Sequence, residues 1–212
     1  MVIDEILNTE TELCQIMEKW GSDKSTWHNY TRLYYLLFNK FINKKINIFE
    51  LGLGTNNPDF ESNMGLYGKP GASLRAWKEF FIDANVFGAD IDFNILFNEN
   101  QIETFYCDQT NSDIINQMWN NSKMKNVEFD IIIDDGLHEF NANLSFFENS
   151  IHKLKQNGIY IIEDLLPITK INFEEIINDL KNKYQNLTFE IVTLKWEANL
   201  GNDNTLLIIK KN

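Results

Sequence analysis

The sequence predicts an α/β fold built on a mostly parallel sheet, and three observations predict it. From residue 46 onward, short apolar runs alternate with helical patterns of about ten to fifteen residues, the signature of βαβ units. The last two strand-like runs are joined by a link too short for a crossover, which fits an antiparallel hairpin. The chain has 212 residues and is 43% hydrophobic, enough for one filled core, and no linker is long enough to divide it.

Two helices come first. Ile6, Leu13, Ile16, Met17 and Trp20 recur at roughly helical spacing until GSDKST breaks the run, and a second helix covers Tyr30 to Ile42. Residues 1–45 are therefore read as a helical cap, or lid, on a main domain of residues 46–212. INIFELGLG (46–54) is the first strand and ends in glycines. SLRAWKEFF (73–81) follows as a helix, and VFGADID (86–92) and ETFYCD (103–108) as strands. The helical SDIINQMW leads to a strand at 129–133, and NANLSFFENSIHKL (141–154) is helical again. Gly158 marks a helix end before the strand IYIIED (159–164), and FEEIINDLKNKY (173–184) is the last helix. FEIVTLKW (189–196) and NTLLIIKK (204–211), joined by ANLGND, form the hairpin. Five parallel strands with a C-terminal antiparallel hairpin is the plan of a Rossmann-like sheet of the class I methyltransferase type.

Composition excludes several function classes. Acidic residues outnumber basic ones 31 to 19, for a formal net charge of −12, and no basic stripe offers itself to a nucleic-acid backbone. The first twenty residues lack both a positive leader and a continuous apolar run, so neither a signal peptide nor a membrane span is expected, and the expected address is cytoplasmic. Cys14 and Cys107 are too isolated for a disulfide framework or a zinc site and are read as small buried hydrophobes.

In such sheets ligands bind beyond the carboxyl ends of the strands. That places Glu50-Leu51-Gly52-Leu53-Gly54 and the following Asn56 at a cofactor, with the glycines allowing close approach. The third glycine of a dinucleotide fingerprint is absent, and Glu50 would repel a pyrophosphate while tolerating a sulfonium or amino group. Asp90 ends the second strand, where it can accept from ribose hydroxyls, and Asp108 ends the third, near an adenine amino group. Three acidic strand ends in chain order favour S-adenosylmethionine over a nicotinamide or a flavin. Asp134, at the end of the fourth strand, completes the cofactor set, with the freedom to turn to the face opposite Asp135.

The segment FDIIIDDGLHEF (129–140) ends an apolar strand on adjacent carboxylates, which repel unless something positive lies between them. Asp135 follows the fourth strand and Glu163-Asp164 ends the fifth. Neighbouring strands run ~4.8 Å apart, so these acids are expected to converge on one hard cation, Mg²⁺ or Mn²⁺ rather than zinc. The plainer alternative, acids that cap helices and pair with lysines, suits one such pair better than two on successive strands. His138 follows Asp135 by three residues and is expected to act as the base toward a hydroxyl acidified by the metal.

With these segments in hand, the sequence resembles the metal-dependent sugar O-methyltransferases of the macrocin and mycinamicin type, and the wider group related to cephalosporin-hydroxylase-like proteins. The matching stretches are GSDKSTWHNYTRLYYLLF (21–38), FELGLGTNN (49–57), GKPGASLRAWKEFF (68–81), GADID (88–92), FYCDQTN (105–111), DIIIDDGLH (130–138) and IIED (161–164). The resemblance implies that Asp135, Glu163 and Asp164 bind magnesium, that His138 is the base, and that Lys24, His28 and Tyr30 belong to a lid over cofactor and substrate. It also implies a homo-oligomer. The macrolide enzymes carry larger accessory elements than this short cap, which points to a smaller acceptor, a nucleotide-activated hexose or heptose destined for a surface polysaccharide.

The loop Thr55–Gly71 is long for a first βα connection, and its prolines and glycines predict an ordered flap over the methionine end of the cofactor or the acceptor, or else an oligomer contact. Arg75, just after it, is expected to meet a phosphate or carboxylate. Rival readings are a non-catalytic S-adenosylmethionine- and metal-binding subunit, a methyltransferase for a catechol-like hydroxyl, and a metal-dependent oxygenase. The last would need two histidines beside the acids, and the sequence places only His138 there.

Overall fold

The computed structural model describes residues 9–198 and 202–212; Ile6 and residues 199–201 of the hairpin link lie outside the described residues. Two helices open it, α1 (Glu12–Trp20) and α2 (Tyr30–Phe38). Thr11 caps α1 by accepting the Cys14 N–H, and Gly21, left-handed at φ 86°, ends it. Strands and helices then alternate through β1 (Asn47–Leu51), α3 (Ala72–Phe80), β2 (Asn85–Asp90), a short β3 (Asn98–Glu99) and β4 (Ile102–Tyr106). After these come α4 (Ser112–Trp119), β5 (Phe129–Asp134), α5 (Phe140–Ser150), β6 (Leu154–Ile162), α6 (Pro167–Lys183), β7 (Leu187–Thr193) and β8 (Thr205–Lys211).

The sheet order is β3-β4-β2-β1-β5-β6-β8-β7. β4, β2, β1, β5 and β6 are parallel, as expected. β8 inserts antiparallel between β6 and β7, which completes the hairpin. β3 adds an antiparallel edge pair that the sequence reading does not contain.

The two largest departures from the expected element boundaries flank α5 and α6. Gly158 lies inside β6, because a 3-10 turn at Ile151–Lys153 hands α5 directly to that strand. α6 begins at Pro167 rather than 173, since proline at the first helical position needs no N–H partner there and is already held near helical φ.

Alternation along the strands divides the interior into two cores. Ile48, Ile131, Ile133, Ile159 and Ile161 pack with Leu13, Tyr34 and Trp77 from α1, α2 and α3. Phe49, Leu51, Ile132, Tyr160 and Ile162 pack on the other face with Trp119, Phe146 and Phe173 from α4, α5 and α6. The N-terminal helices therefore share a core with the sheet: Leu13, Met17, Tyr30 and Phe38 are fully buried in it. Each such side chain contributes about 1.5–3 kcal/mol of burial.

The same period of two decides where the acids go. Glu50 continues the parity of Ile48, and Glu163 that of Ile159 and Ile161, so both face the cap. Asp134 follows Ile132 to the opposite face. The chain reverses direction across the sheet between β1 and β5, the place where open α/β sheets leave a ligand crevice.

Candidate active site

A cavity of about 550 Å³ opens at this crevice, within the size range of small-molecule sites. Gly52, Gly54, Asp90, Asp108, Asp135, His138, Glu163 and Asp164 line it from the strand ends, His28 from the cap, and residues 59–64 from the long loop. The backbone is drawn tight beneath it. Gly52 donates to the Ala89 carbonyl at 2.8 Å, Asp135 to Leu51 at 2.9 Å and Glu163 to Asp134 at 2.9 Å. Gly52 has φ 89°, and a Cβ there would lie 1.8 Å from the Asp135 carbonyl oxygen. Its glycine is thus demanded by the meeting of two strand ends.

Asp90 accepts the Leu53 N–H at 2.6 Å and the Asp92 N–H at 2.8 Å, so it holds the glycine loop while facing the cavity. Asp108 accepts from Thr110 N–H and Oγ1. The flap is tied to the same region: Thr55 Oγ1 donates to Asp92 at 2.5 Å, Met64 N–H to the Thr55 carbonyl, and Asn56 Nδ2 to the carbonyls of Gly65 and Gly68.

The acids at the ends of β1, β5 and β6 meet the cap. Lys24 sends its ammonium between them, 2.5 Å from Asp135 Oδ2, 2.5 Å from Glu163 Oε2 and 3.6 Å from Glu50 Oε1. Tyr34 donates to Glu163 Oε1 at 2.5 Å and Tyr30 to Asp164 Oδ1 at 2.6 Å. His28 stacks on Tyr30 and places Nε2 3.7 Å from Asp164 Oδ2. His138 Nε2 lies 3.2 Å from Asp135 Oδ1 and 3.9 Å from Asp164 Oδ2. Both His138 (φ 63°) and Asp164 (φ 53°) adopt left-handed backbone, a conformation that non-glycine residues rarely hold away from turns and functional sites.

The electrostatics are those of a site short of positive charge. Burial, reinforced by neighbouring carboxylates, raises Glu50, Glu163 and Asp164 above the ordinary carboxylate range despite Lys24 and the histidines. Burial also opposes ionisation of Asp135, but the Lys24 ammonium and His138 outweigh it and hold that carboxyl low. Burial disfavours a charged His138, yet its bond to Asp135 and the field of Asp164 raise the imidazole to about 9. Asp135, His138 and Asp164 offer ligand atoms within 4.8 Å of one another. Two hard oxygen donors beside an imidazole, with charge left uncompensated, fit a divalent cation such as Mg²⁺ or Mn²⁺.

With the geometry established, similarity to known proteins carries weight. The chain is 29% identical over 149 residues to the 8-demethyl-8-(2-methoxy-alpha-L-rhamnosyl)-tetracenomycin-C 3'-O-methyltransferase of Streptomyces olivaceus, a match covering 70% of this chain and 34% of that protein. It is 30% identical over 148 residues to the demethylmacrocin O-methyltransferase of Streptomyces fradiae, covering 69% and 33% respectively. The chain is a homologue of these sugar O-methyltransferases. It spans about a third of the length of the curated relatives it matches. No protein-family model matches it. In structure it superposes on the MycE methyltransferase of the mycinamycin pathway, solved in complex with Mg and SAH, with a TM-score of 0.69 and 21% identity over 96% of this chain and 55% of that one. The fold is that of the class I methyltransferases.

Within this methyltransferase fold, several expected site residues take other places. Arg75 does not line the cavity: its guanidinium pairs with Glu99 at 2.7 Å and stacks over Phe97. Asn56 is spent on the flap's own carbonyls, and Glu50 lies beneath the cavity wall, bonded to Ser73 and Trp77. Asp134 is fully buried and accepts from Gln109 and Asn143, burial raising it to about 7. Gln109 in turn accepts the Leu137 N–H at 2.8 Å and so braces the turn that presents His138. Asn143, Tyr34 and the Thr55–Asp92 pair are supports of these groups that sequence reasoning missed. No spacing rule announces them, because each meets its partner across the fold.

Proposed function

We propose that this chain transfers a methyl group from S-adenosylmethionine to a sugar hydroxyl with the help of a divalent cation. The observation that carries the reading is the convergence of Asp135, His138 and Asp164 in the same cavity that the glycine loop and Asp90 line. Homology to sugar O-methyltransferases supports it.

In this reading Asp90 receives the ribose hydroxyls and Asp108 borders the adenine. S-adenosylmethionine supplies an electrophilic methyl on a positively charged sulfur, which the acidic wall suits. Asp135 and Asp164 would hold a divalent cation, whose charge would lower the pKa of an acceptor hydroxyl. His138 Nε2 takes that hydroxyl's proton, and offsetting the nearby carboxylate charge returns the imidazole toward its ordinary pKa so that it is able to accept it. The flap, held by Asn56, shields the reacting groups from water.

The acceptor is best described as a neutral sugar. Asp59, Glu61, Asp90, Asp108, Asp164 and Asp203 all line the cavity, and no lysine or arginine does so among the described residues. A nucleoside diphosphate would meet repulsion there, so the cavity argues against the nucleotide-activated sugar expected from the sequence, and the relatives' names offer no support for a polysaccharide destination.

The test is calorimetric titration of S-adenosylmethionine and its demethylated product, with Mg²⁺ and with excess chelator, followed by labelled methyl transfer to neutral glycosides and to nucleotide sugars. Binding of both ligands and chelator-sensitive transfer to glycosides is the expected result. Absence of binding under either condition sinks the methyltransferase reading. His138→Ala should cost at least a hundredfold in turnover and leave cofactor affinity nearly intact; a large loss of affinity instead would make the histidine structural.

A further inference from the structure

Asp134 is a fully buried carboxyl group to which the proposed reaction gives no task. Its oxygens accept from Gln109 Nε2 at 2.7 and 2.8 Å and from Asn143 Nδ2 at 3.0 Å. We propose that Asp134 and Gln109 form a relay that orients the turn at 136–138 and couples it to the adenine end of the cavity, so that an occupied cofactor site sets His138 in place. The inference rests on the methyltransferase reading above, and both members of the relay are positioning residues.

A glutamine amide has a nitrogen end that donates and an oxygen end that accepts. The carboxylate oxygens of Asp134 turn the nitrogen of Gln109 toward themselves and so commit its oxygen to the Leu137 N–H, 2.8 Å away. The fit is close. Gln109 is 6% exposed, and a Cβ on Gly136 would lie 2.3 Å from its Oε1. Gly136 is not one of the left-handed glycines, so the amide beside it, rather than its own backbone, is what a side chain there would offend. On the other side of the turn, the Thr169 hydroxyl donates to the His138 carbonyl at 3.2 Å. His138 is left-handed at φ 63°, a conformation that surroundings must hold, and these two bonds hold it.

The relay reaches the cofactor because Gln109 follows Asp108, and residues 107–110 line the cavity. A nucleoside seated against them restricts the backbone of Gln109, and the amide carries that restriction to the Leu137 N–H. Such coupling is reciprocal: the cofactor steadies the turn that presents His138, and a steadied turn favours the cofactor. Asp134 supplies the direction of the amide, which is the use of a carboxyl group that faces neither metal nor substrate.

The experiment reads hydrogen exchange of the Leu137 amide by NMR, with and without S-adenosylhomocysteine, whose binding is measured in parallel by calorimetry. In the unaltered protein the ligand should slow that exchange by at least about threefold. Gln109→Ala should speed it about tenfold without ligand and abolish the ligand's effect. Gly136→Ala should do the same by displacing the amide, and Gly136→Ala/Gln109→Ala should be no worse than Gln109→Ala, since nothing is left to displace. Asp134→Asn keeps an oxygen for Gln109 Nε2 and should stay within about twofold of the unaltered protein, whereas Asp134→Ala should behave as Gln109→Ala does. Additive effects in the double variant, ligand binding without slowing, or slowing that survives Gln109→Ala overturns the relay and leaves the methyltransferase reading standing. Failure of S-adenosylhomocysteine to bind the unaltered protein overturns both.

Discussion

At the scale of single residues, the site depends on backbone conformations that side chains would forbid. Gly52 and Gly65 are both left-handed, at φ 89° and 64°, yet a Cβ at 52 would sit 1.8 Å from the Asp135 carbonyl oxygen while one at 65 would meet nothing within 4 Å. Gly65→Ala should therefore cost only the conformational strain, about 1 kcal/mol. Gly52→Ala adds a backbone clash and should cost about 3 kcal/mol or more. Urea midpoints at constant slope measure both; equal losses would mean that β1 and β5 do not approach as described. The principal acids are legible in the sequence because they close apolar runs, and His138 because it follows Asp135 by three residues, so their places near strand ends need no tertiary knowledge. What parity then does to Glu50, Asp134 and Glu163 is legible only once the facing core is known. Arg75 misleads for the complementary reason: its partner Glu99 arrives from β3, an edge pair without an apolar signal.

At the scale of elements, the loop after β1 behaves as a closed unit. Its ends are joined through the Gly71 N–H to the Leu53 carbonyl at 2.7 Å, and Asn56 pins its interior to Gly65 and Gly68. The tip, Leu66 and Tyr67, is 86% and 95% exposed, while residues 59–64 form cavity wall. Asn56→Ala removes two bonds worth about 1 kcal/mol each from a segment that contributes little to either core. The expected outcome is faster proteolysis within 59–67 and a several-fold weaker S-adenosylmethionine affinity, with the global unfolding midpoint nearly unchanged. Unchanged cleavage would show that Asn56 does not hold the flap. Prolines and glycines announce an ordered loop here, but the staple itself depends on two carbonyls nine and twelve residues away, beyond any turn signature. The early start of α6 was hidden similarly, since Pro167 reads as a breaker until its position at the helix start is seen.

At the scale of the whole molecule, cap and sheet share one core and meet at one charge cluster, so metal, proton and folding equilibria are linked. Glu50, Glu163 and Asp164 are raised by burial and by one another. A carboxylate raised in the folded state favours the fold in its protonated form, so the metal-free protein loses stability as pH climbs from the ordinary carboxylate range through those raised values. His138, raised to about 9, works in the same direction: its contribution is fully present below about 6.5 and is lost as pH rises through that folded value. Binding a divalent cation runs the other way, because the carboxylates and His138 must give up protons for it to enter. The thermal stabilisation by Mg²⁺ or Mn²⁺ should therefore be small near pH 5.5 and grow steadily toward pH 9. At a free concentration a hundred times the dissociation constant it amounts to about 2.7 kcal/mol, or roughly 5–10 °C for a chain of this size. Melting curves with metal and with chelator across that pH range measure it directly. A metal-induced shift that is flat with pH, or falls as pH rises, would show that the groups which hold the protons are not the groups which hold the ion.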